Sequence, residues 1–384
     1  MRVRDYLAWF QLIRQKGRFF VAIAGISFAC ILIFMQLGFL ESLFVGATRP
    51  HSILNADLVI AHPTLQTLLT PKSFARERLY QVKGFTGVES VSAIQLANLQ
   101  WRNPVDHQIR AILLLGIDPL KHALILPNFD SRLNELKMFR RVLFDQKSRP
   151  EYGPIKQLLE RTGKLEVELN DKNVTVAGLF SLGASFAADG TAISSDTTFS
   201  YLSGNKSASQ IQLGLIKISP DSSIAEVKRN LQRVFKNDIS VYTRDEFAQL
   251  EKTYWADSTG IGFIFGLGVV VGFVVGVVIV YQILHSDVQD HMPEYATLKA
   301  MGYADSYLLG VLLKEALILS GAGFVPALLL TFFLYSIAES ATSMPIFMTS
   351  ERALFVFSLS LAMCSISAVI AMKKLRDADP ADVF

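Results

Sequence analysis

Residues 261–284 read IGFIFGLGVVVGFVVGVVIVYQIL, an apolar run without a single Asp, Glu, Lys or Arg. A helix of roughly 20 residues crosses a bilayer core of about 30 Å, and a charge at its centre costs at least about 2.5 kcal/mol. The run is therefore predicted to be a membrane-spanning helix. Three more uncharged runs, at 19–40, 316–338 and 353–372, predict three further spans.

The first run could also be read as a signal peptide, because basic residues precede it. Secretory apolar regions contain about 7–15 residues, and the run at 19–40 is longer than that. An uncleaved first helix is the favoured interpretation.

Lys and Arg near the spans predict the orientation. Five lie before the first span and three soon after the fourth, whereas the loop 339–352 contains only Arg352. Loops rich in Lys and Arg stay on the cytoplasmic side. We therefore expect a multi-pass protein of the cytoplasmic (inner) membrane. Its predicted cytoplasmic parts are an amphipathic N-terminal segment 1–18, the segment 285–315 and the tail 373–384, and its predicted periplasmic parts are 41–260 and the short loop 339–352.

Most of the charge lies in residues 41–260, which contain 26 Lys or Arg and 23 Asp or Glu, although only 18% of the whole chain is charged. A segment of this size and composition can bury its own core. The predicted fold is integral membrane α-helical, with four transmembrane helices and a large mixed α+β extracytoplasmic domain. A net charge of +3 argues against a nucleic-acid partner.

Two local patterns in the large domain make specific predictions. The runs 165–169 and 174–180 flank Asn170-Asp171-Lys172-Asn173, which predicts a β-hairpin. Residues 130–146 show apolar side chains spaced by three or four, which predicts a helix.

The chain lacks the usual signatures of catalysis and metal binding. It contains no HExxH, no GxSxG and no GxxxxGK[ST], and both cysteines, Cys30 and Cys364, lie in apolar runs. We therefore predict no catalytic residue, no cofactor site and no metal site, and expect that the chain is not an enzyme. An acidic pair assembled by folding in the large domain is the weaker alternative.

Glycines in the second predicted span form two small-xxx-small registers, which let helix backbones approach closely in lipid. One contains Gly262 and Gly266, and the other contains Gly268, Gly272 and Gly276. Packing within the chain, a homodimer seam and a sliding interface are all compatible with this pattern. The serines of the fourth span, Ser358, Ser360, Ser365 and Ser367, predict interhelical hydrogen bonds.

The segment after the second span predicts a short amphipathic helix. Pro293 suits a first helical turn, Glu294 suits the positive end of the helix dipole, and Gly302 suits the end. From the residues alone, this helix could be a simple connector at the membrane surface.

The stretch Glu294-Tyr295-Ala296-Thr297-Leu298-Lys299-Ala300-Met301-Gly302 resembles the cytoplasmic segment of the FtsX/MacB superfamily of ABC transporter permeases. Residues 312–321, LLKEALILSG, resemble that superfamily's start of the third span, and the predicted topology matches as well. More narrowly, the chain is similar to the DevC group, through 261–266, 281–284, 292–303 and the tail 378–384. Pro293 departs from the wider pattern, in which a basic residue often precedes the glutamate.

The resemblance implies a non-catalytic permease subunit of an ATP-driven export system. A separate cytoplasmic ATPase would dock on the short helix, and its motion would pass through the spans to the periplasmic domain and a membrane-fusion-type adaptor. A homodimer and a lipid-like or amphipathic cargo are also implied. The coupling residues carried over are Pro293, Glu294, Tyr295, Leu298, Lys299, Met301 and Gly302. The alternative function is a membrane sensor, whose external domain binds a ligand and signals to a cytoplasmic partner.

Overall fold

The computed structural model describes residues 16–127, 129–185, 188–204, 209–293, 297, 301–342 and 344–376. The chain divides into two compact units. A helical unit contains residues 16–42, 261–342 and 346–376, and an α+β domain contains residues 43–260.

The elements are numbered in chain order. The described helices are α1 Lys16–Ser52, α2 Arg76–Lys83, α3 Asp130–Leu136, α4 Ile155–Thr162, α5 Asp196–Ser203, α6 Ile224–Phe235, α7 Arg244–Thr253, α8 Ile261–Asp290, α9 Asp305–Thr342 and α10 Ser350–Arg376. The described strands are β1 Leu58–Ala61, β2 Phe74–Ala75, β3 Val88–Arg102, β4 Ile109–Ile117, β5 Arg141–Asp145, β6 Leu165–Leu169, β7 Lys172–Phe180, β8 Thr191–Ser195, β9 Gln210–Ile211, β10 Leu213–Ile218 and β11 Ser240–Thr243. A 3-10 turn, Pro150–Tyr152, and a π-helical turn, Tyr254–Ser258, complete the regular structure.

Four of these helices, α1, α8, α9 and α10, are long and apolar enough to cross a membrane. Together with the α+β domain they confirm the predicted fold class. Each helix extends beyond the corresponding predicted span, and α1 continues to Ser52. The borders of the membrane within the helices therefore stay predictions.

Serine hydroxyls join the helices of the helical unit. Ser360 of α10 and Ser320 of α9 lie 2.8 Å apart as a buried hydroxyl pair, and Ser367 donates to the carbonyl oxygen of Val277 on α8 at 2.8 Å. Ser27 of α1 likewise donates to the Gly323 carbonyl at 2.7 Å. The predicted interhelical bonds of Ser360 and Ser367 are confirmed, whereas Ser358 donates to the Leu354 carbonyl within α10. Such bonds replace those that water would make elsewhere.

The α+β domain is built on a nine-stranded mixed sheet in the order β11-β1-β10-β3-β4-β8-β5-β7-β6. An additional pairing joins β3 to β6, with Trp101 opposite Leu169 and Arg102 opposite Glu168. The strands from β3 to β6 therefore close into a ring. Its core contains buried aromatic side chains, among them Trp101, Phe144 and Tyr152.

The predicted hairpin at 165–180 is confirmed. Strands β6 and β7 pair antiparallel from Leu165–Val176 to Leu169–Lys172. Asn170 and Asp171 form the turn with φ values of 53° and 58°. Positive φ at both central positions belongs to the turn type whose twist matches a hairpin, and Asn and Asp tolerate that conformation well.

The predicted helix over 130–146 is wrong in its second half. Helix α3 ends at Leu136, and residues 141–145 form strand β5 between β7 and β8. Val142, Leu143 and Phe144 are all buried there. A strand covered on both faces has a continuous apolar run instead of an alternating one, and such a run also satisfies a helical spacing.

Helix α7 begins with a capping box, in which Thr243 and Glu246 bond each other's backbone N–H groups. The Thr243 hydroxyl accepts from the Glu246 backbone N–H, and the Glu246 carboxylate accepts from the Thr243 N–H. The substitution Thr243→Ala should lower the free energy of unfolding by about 1 kcal/mol, measured by denaturant unfolding of the full chain in detergent. Ser223, the N-cap of α6, makes no capping bond, so Ser223→Ala is the matched control and should change little.

Acidification should weaken the same cap. A hydrogen bond from Lys228 and the Thr243 N–H lower the pKa of Glu246 below its ordinary value. A lowered pKa means that the contribution is present above the ordinary glutamate range and is lost as pH falls through the lowered value. The stability difference between Glu246→Gln and the unsubstituted protein should therefore shrink at acidic pH; a difference that grows would contradict the cap.

Candidate functional site

The predicted coupling segment connects α8 to α9. Helix α8 ends at Asp290, the Thr297 hydroxyl donates to the Pro293 carbonyl at 2.8 Å, and the Met301 N–H donates to the Thr297 carbonyl at 3.0 Å. Both bonds have the four-residue spacing of a helical turn. The predicted coupling residues Glu294, Tyr295, Leu298 and Lys299 lie outside the described residues.

The described part of this segment exposes apolar side chains. Met301 is 62% exposed and Tyr303 is 45% exposed, and Pro293 is exposed as well. Gly302 has a φ of 88°, which favours glycine and suits a helix end. The Tyr303 ring lies 4.8 Å from that of Tyr307 on α9. The segment therefore offers an apolar surface next to the start of α9.

Ionic and polar contacts fix the α8 end of the segment. Asp290, the last residue of α8, forms an ion pair with Arg18 of α1. One turn earlier, Asp287 lies near the His291 ring, whose Nδ1 is 3.5 Å from the carboxylate and 3.0 Å from the Asp287 carbonyl oxygen. The segment thus starts from a helix end that is attached to α1.

Two carboxyl groups lie close together where the same end of α8 meets α9. Glu315 of α9 is 2% exposed, and its burial and the neighbouring Asp287 carboxyl raise the pKa of Glu315 well above its ordinary value. The sequence indicated Glu315 only as part of a resemblance, because its partner is 28 positions away.

The two glycine registers of α8 have different surroundings. An added Cβ at Gly268, Gly272 or Gly276 would contact side chains of α1, and at Gly276 it would also come 2.3 Å from the Met363 sulfur on α10. These glycines therefore serve packing within the chain. An added Cβ at Gly266 would meet nothing within 4 Å, and Gly262 is only half-buried.

The face of α8 around Gly266 is apolar and exposed in the single chain. Phe263 is 73% exposed, Leu267 50% and Val270 56%. A face of this composition on a membrane helix is covered by lipid or by another helix. It is the face on which the predicted homodimer seam would lie.

A polar cluster that sequence reasoning missed joins three helices of the same unit. Arg352 of α10 is 6% exposed, forms an ion pair with Glu41 of α1 and donates to the Tyr335 hydroxyl of α9 at 3.1 Å. The Tyr335 hydroxyl in turn donates to the Phe34 carbonyl of α1. An added Cβ at Gly38 would lie 2.5 Å from that hydroxyl, so the glycine makes room for the Tyr335 side chain.

About a third of the chain matches a family model. Residues 263–380 match the model for the FtsX-like permease C-terminal domain. Over this stretch the chain is similar to FtsX-like permeases. The match covers most of α8, all of α9 and α10 and the segment between α8 and α9, and it supports the predicted resemblance to the FtsX/MacB superfamily. The narrower DevC assignment stays a prediction.

Several solved structures are similar to part of this chain. The periplasmic region of MacB from Actinobacillus actinomycetemcomitans is 15% identical, with a TM-score of 0.35, and the alignment covers 54% of this chain and 96% of that one. The extracellular domain of the noncanonic ABC-type transporter YknZ from Gram-positive bacteria is 17% identical, with a TM-score of 0.33, and the alignment covers 49% and 100%. No curated protein matches the chain.

The two glycine registers of α8 give a matched pair of substitutions. Gly276→Ala places a methyl group against Ala29 and the fully buried Met363, and overpacking of this kind costs about 1–3 kcal/mol. The midpoint of thermal unfolding in detergent should fall. Gly266→Ala adds the same methyl group in open space and should leave the midpoint unchanged; equal effects would contradict the packing described.

Proposed function

We propose that this chain is the permease subunit of an ATP-driven export system and that it transmits motion from a separate cytoplasmic ATPase to the α+β domain. The observation that carries the proposal is the segment between α8 and α9 within the FtsX-like permease domain. It exposes Met301 and Tyr303, its α8 end is attached to α1 by the ion pair Arg18–Asp290, and Asp287 of the same end lies beside Glu315 of α9. An ATPase that pushes on this surface would move three helices together.

The composition of the predicted spans favours transmission over carriage. None of the four contains Asp, Glu, Lys or Arg. Ion-driven carriers place ionisable groups or broken helices at the middle of the membrane. The serine hydroxyls described in α9 and α10 are used for helix packing instead. The proposed mechanism is therefore a mechanical one, in which no solute passes between the helices of this chain.

The proposed mechanical role implies two partners besides the ATPase. A second copy of the chain would cover the α8 face around Gly266, and a membrane-fusion-type adaptor would receive the motion on the periplasmic side. The resemblance to the DevC group supports a lipid-like or amphipathic cargo. The chain would be embedded in the inner membrane with both ends in the cytoplasm.

Substitutions in the coupling segment test the role of the ATPase. Glu294→Ala and Lys299→Ala should each abolish the stimulation of ATP hydrolysis in the reconstituted complex, because they remove the charges through which the segment would be held. Copurification of the ATPase measures assembly separately and should persist. Ser306→Ala, at an exposed position beyond the segment, is the control. Full stimulation in Glu294→Ala would mean that the coupling segment has been assigned wrongly.

Cysteine labelling tests the orientation. Both native cysteines are buried, so the unsubstituted chain should give no background with a membrane-impermeant maleimide. Leu120→Cys, at a position 77% exposed in the α+β domain, should be labelled in spheroplasts without lysis. Ala304→Cys, exposed beside the coupling segment, should be labelled only after lysis. The opposite pattern would reverse the orientation.

A further inference from the structure

A buried carboxylate occupies the α+β domain at Glu251 of α7. The residue is 2% exposed. Its Oε1 accepts from the Thr67 hydroxyl at 2.6 Å and from the Trp255 indole N–H at 2.9 Å, and its Oε2 accepts from the Leu68 backbone N–H at 2.9 Å. Three donors converge on one carboxylate, so its oxygens are satisfied by directed bonds.

A buried histidine lies beside this carboxylate. His51 is 1% exposed, and its Nε2 is 3.7 Å from Oε2 of Glu251. Its ring packs on Phe247 of the same helix α7, with 4.7 Å between the ring centroids. Among the described residues, neither ring nitrogen of His51 has a hydrogen-bond partner. The ring therefore contacts α7 through stacking and through its proximity to the charge.

The partners of Glu251 come from three separate parts of the chain. His51 is the last residue but one of α1. Thr67 and Leu68 belong to the loop between β1 and β2. Trp255 lies in the π-helical turn that follows α7 and precedes α8. The cluster therefore gathers the two chain segments through which the α+β domain continues into α1 and α8.

The physical cost of this arrangement argues that it does more than fill space. Well-packed apolar side chains often replace a buried charge without loss of stability, or even with a gain. The hydrogen bonds to Glu251 require a particular geometry, so they fix the relative position of the bonded segments more strictly than apolar contacts would. Trp255 also lies in a π-helical turn, a rare geometry that is frequent at functional sites.

We propose that the Glu251 carboxylate is a joint that holds the end of α1, the loop at Thr67 and the turn before α8 in one fixed arrangement, so that they move together during transmission. Glu251 is in this view a positioning residue. The inference rests on the proposed function, because a joint for motion matters only if the permease transmits motion.

Two substitutions at Thr67 separate the hydrogen bond from the packing. Thr67→Val keeps the shape of the side chain and removes the donor to Oε1, whereas Thr67→Ser keeps the hydroxyl. Glu251→Gln removes the charge and places an amide N–H₂ where acceptors are needed. Asp245→Asn is the control, because it removes a carboxylate from an exposed position of the same helix.

The first measurement is hydrogen exchange at the Leu68 amide, in the full chain reconstituted in lipid nanodiscs. Glu251→Gln should speed this exchange by about tenfold or more, since a hydrogen bond to a charged group is lost. Thr67→Val should speed it less, and Thr67→Ser and Asp245→Asn should leave it unchanged. Unchanged exchange in Glu251→Gln would overturn the joint.

The second measurement is the ratio of stimulated to basal ATP hydrolysis in the complex with the ATPase. Glu251→Gln and Thr67→Val should lower the ratio, relative to Thr67→Ser, at a temperature well below the thermal midpoint of every variant, where all of them are folded. If the unsubstituted complex is stimulated and Glu251→Gln keeps the full ratio, the joint is wrong and the proposed function stands. If the unsubstituted complex shows no stimulation, the proposed function fails and the joint falls with it.

Discussion

Moving a charged side chain into hydrocarbon costs at least about 2.5 kcal/mol, and this penalty organises the whole molecule. It keeps Asp, Glu, Lys and Arg out of four long runs and collects 26 basic and 23 acidic residues in the segment 41–260. Backbone groups in lipid must be satisfied within the chain, so the four runs become long helices. The charged segment, which faces water, builds a sheet-based domain with its own cores.

The few polar groups within the helical unit consequently form hydrogen bonds and ion pairs between its helices. Ser320 and Ser360 bond each other, and Arg352 ties Tyr335 and Glu41 to one end of α10. At the coupling segment, the buried Glu315 lies beside Asp287. Apolar contacts alone do not strongly fix the rotation of a membrane helix about its own axis. Hydrogen bonds and ion pairs between helices fix that rotation because they require a particular geometry.

Local signals were predictable from the sequence, and contacts between distant residues were not. Asn170 and Asp171 predicted the β6–β7 hairpin because its turn needs residues that tolerate positive φ. Strand β5 was mistaken for helix because a doubly covered strand has no alternation. The glycine pattern of α8 indicated close packing but could not say which register packs on α1. Arg352 gave no signal, since its partner Glu41 is 311 positions away.

The closure of the sheet through β3 and β6 has a consequence for how the domain folds. The residues that close the ring, Trp101 and Leu169, are 68 positions apart. Strand pairing between distant positions requires the loss of loop entropy before any hydrogen bond or apolar contact forms. Such pairings therefore form slowly. Until they form, β3 and β6 each offer an unpaired edge to neighbouring chains. The folding domain thus passes through an interval in which these two edges are open, and this interval ends when Trp101 pairs with Leu169.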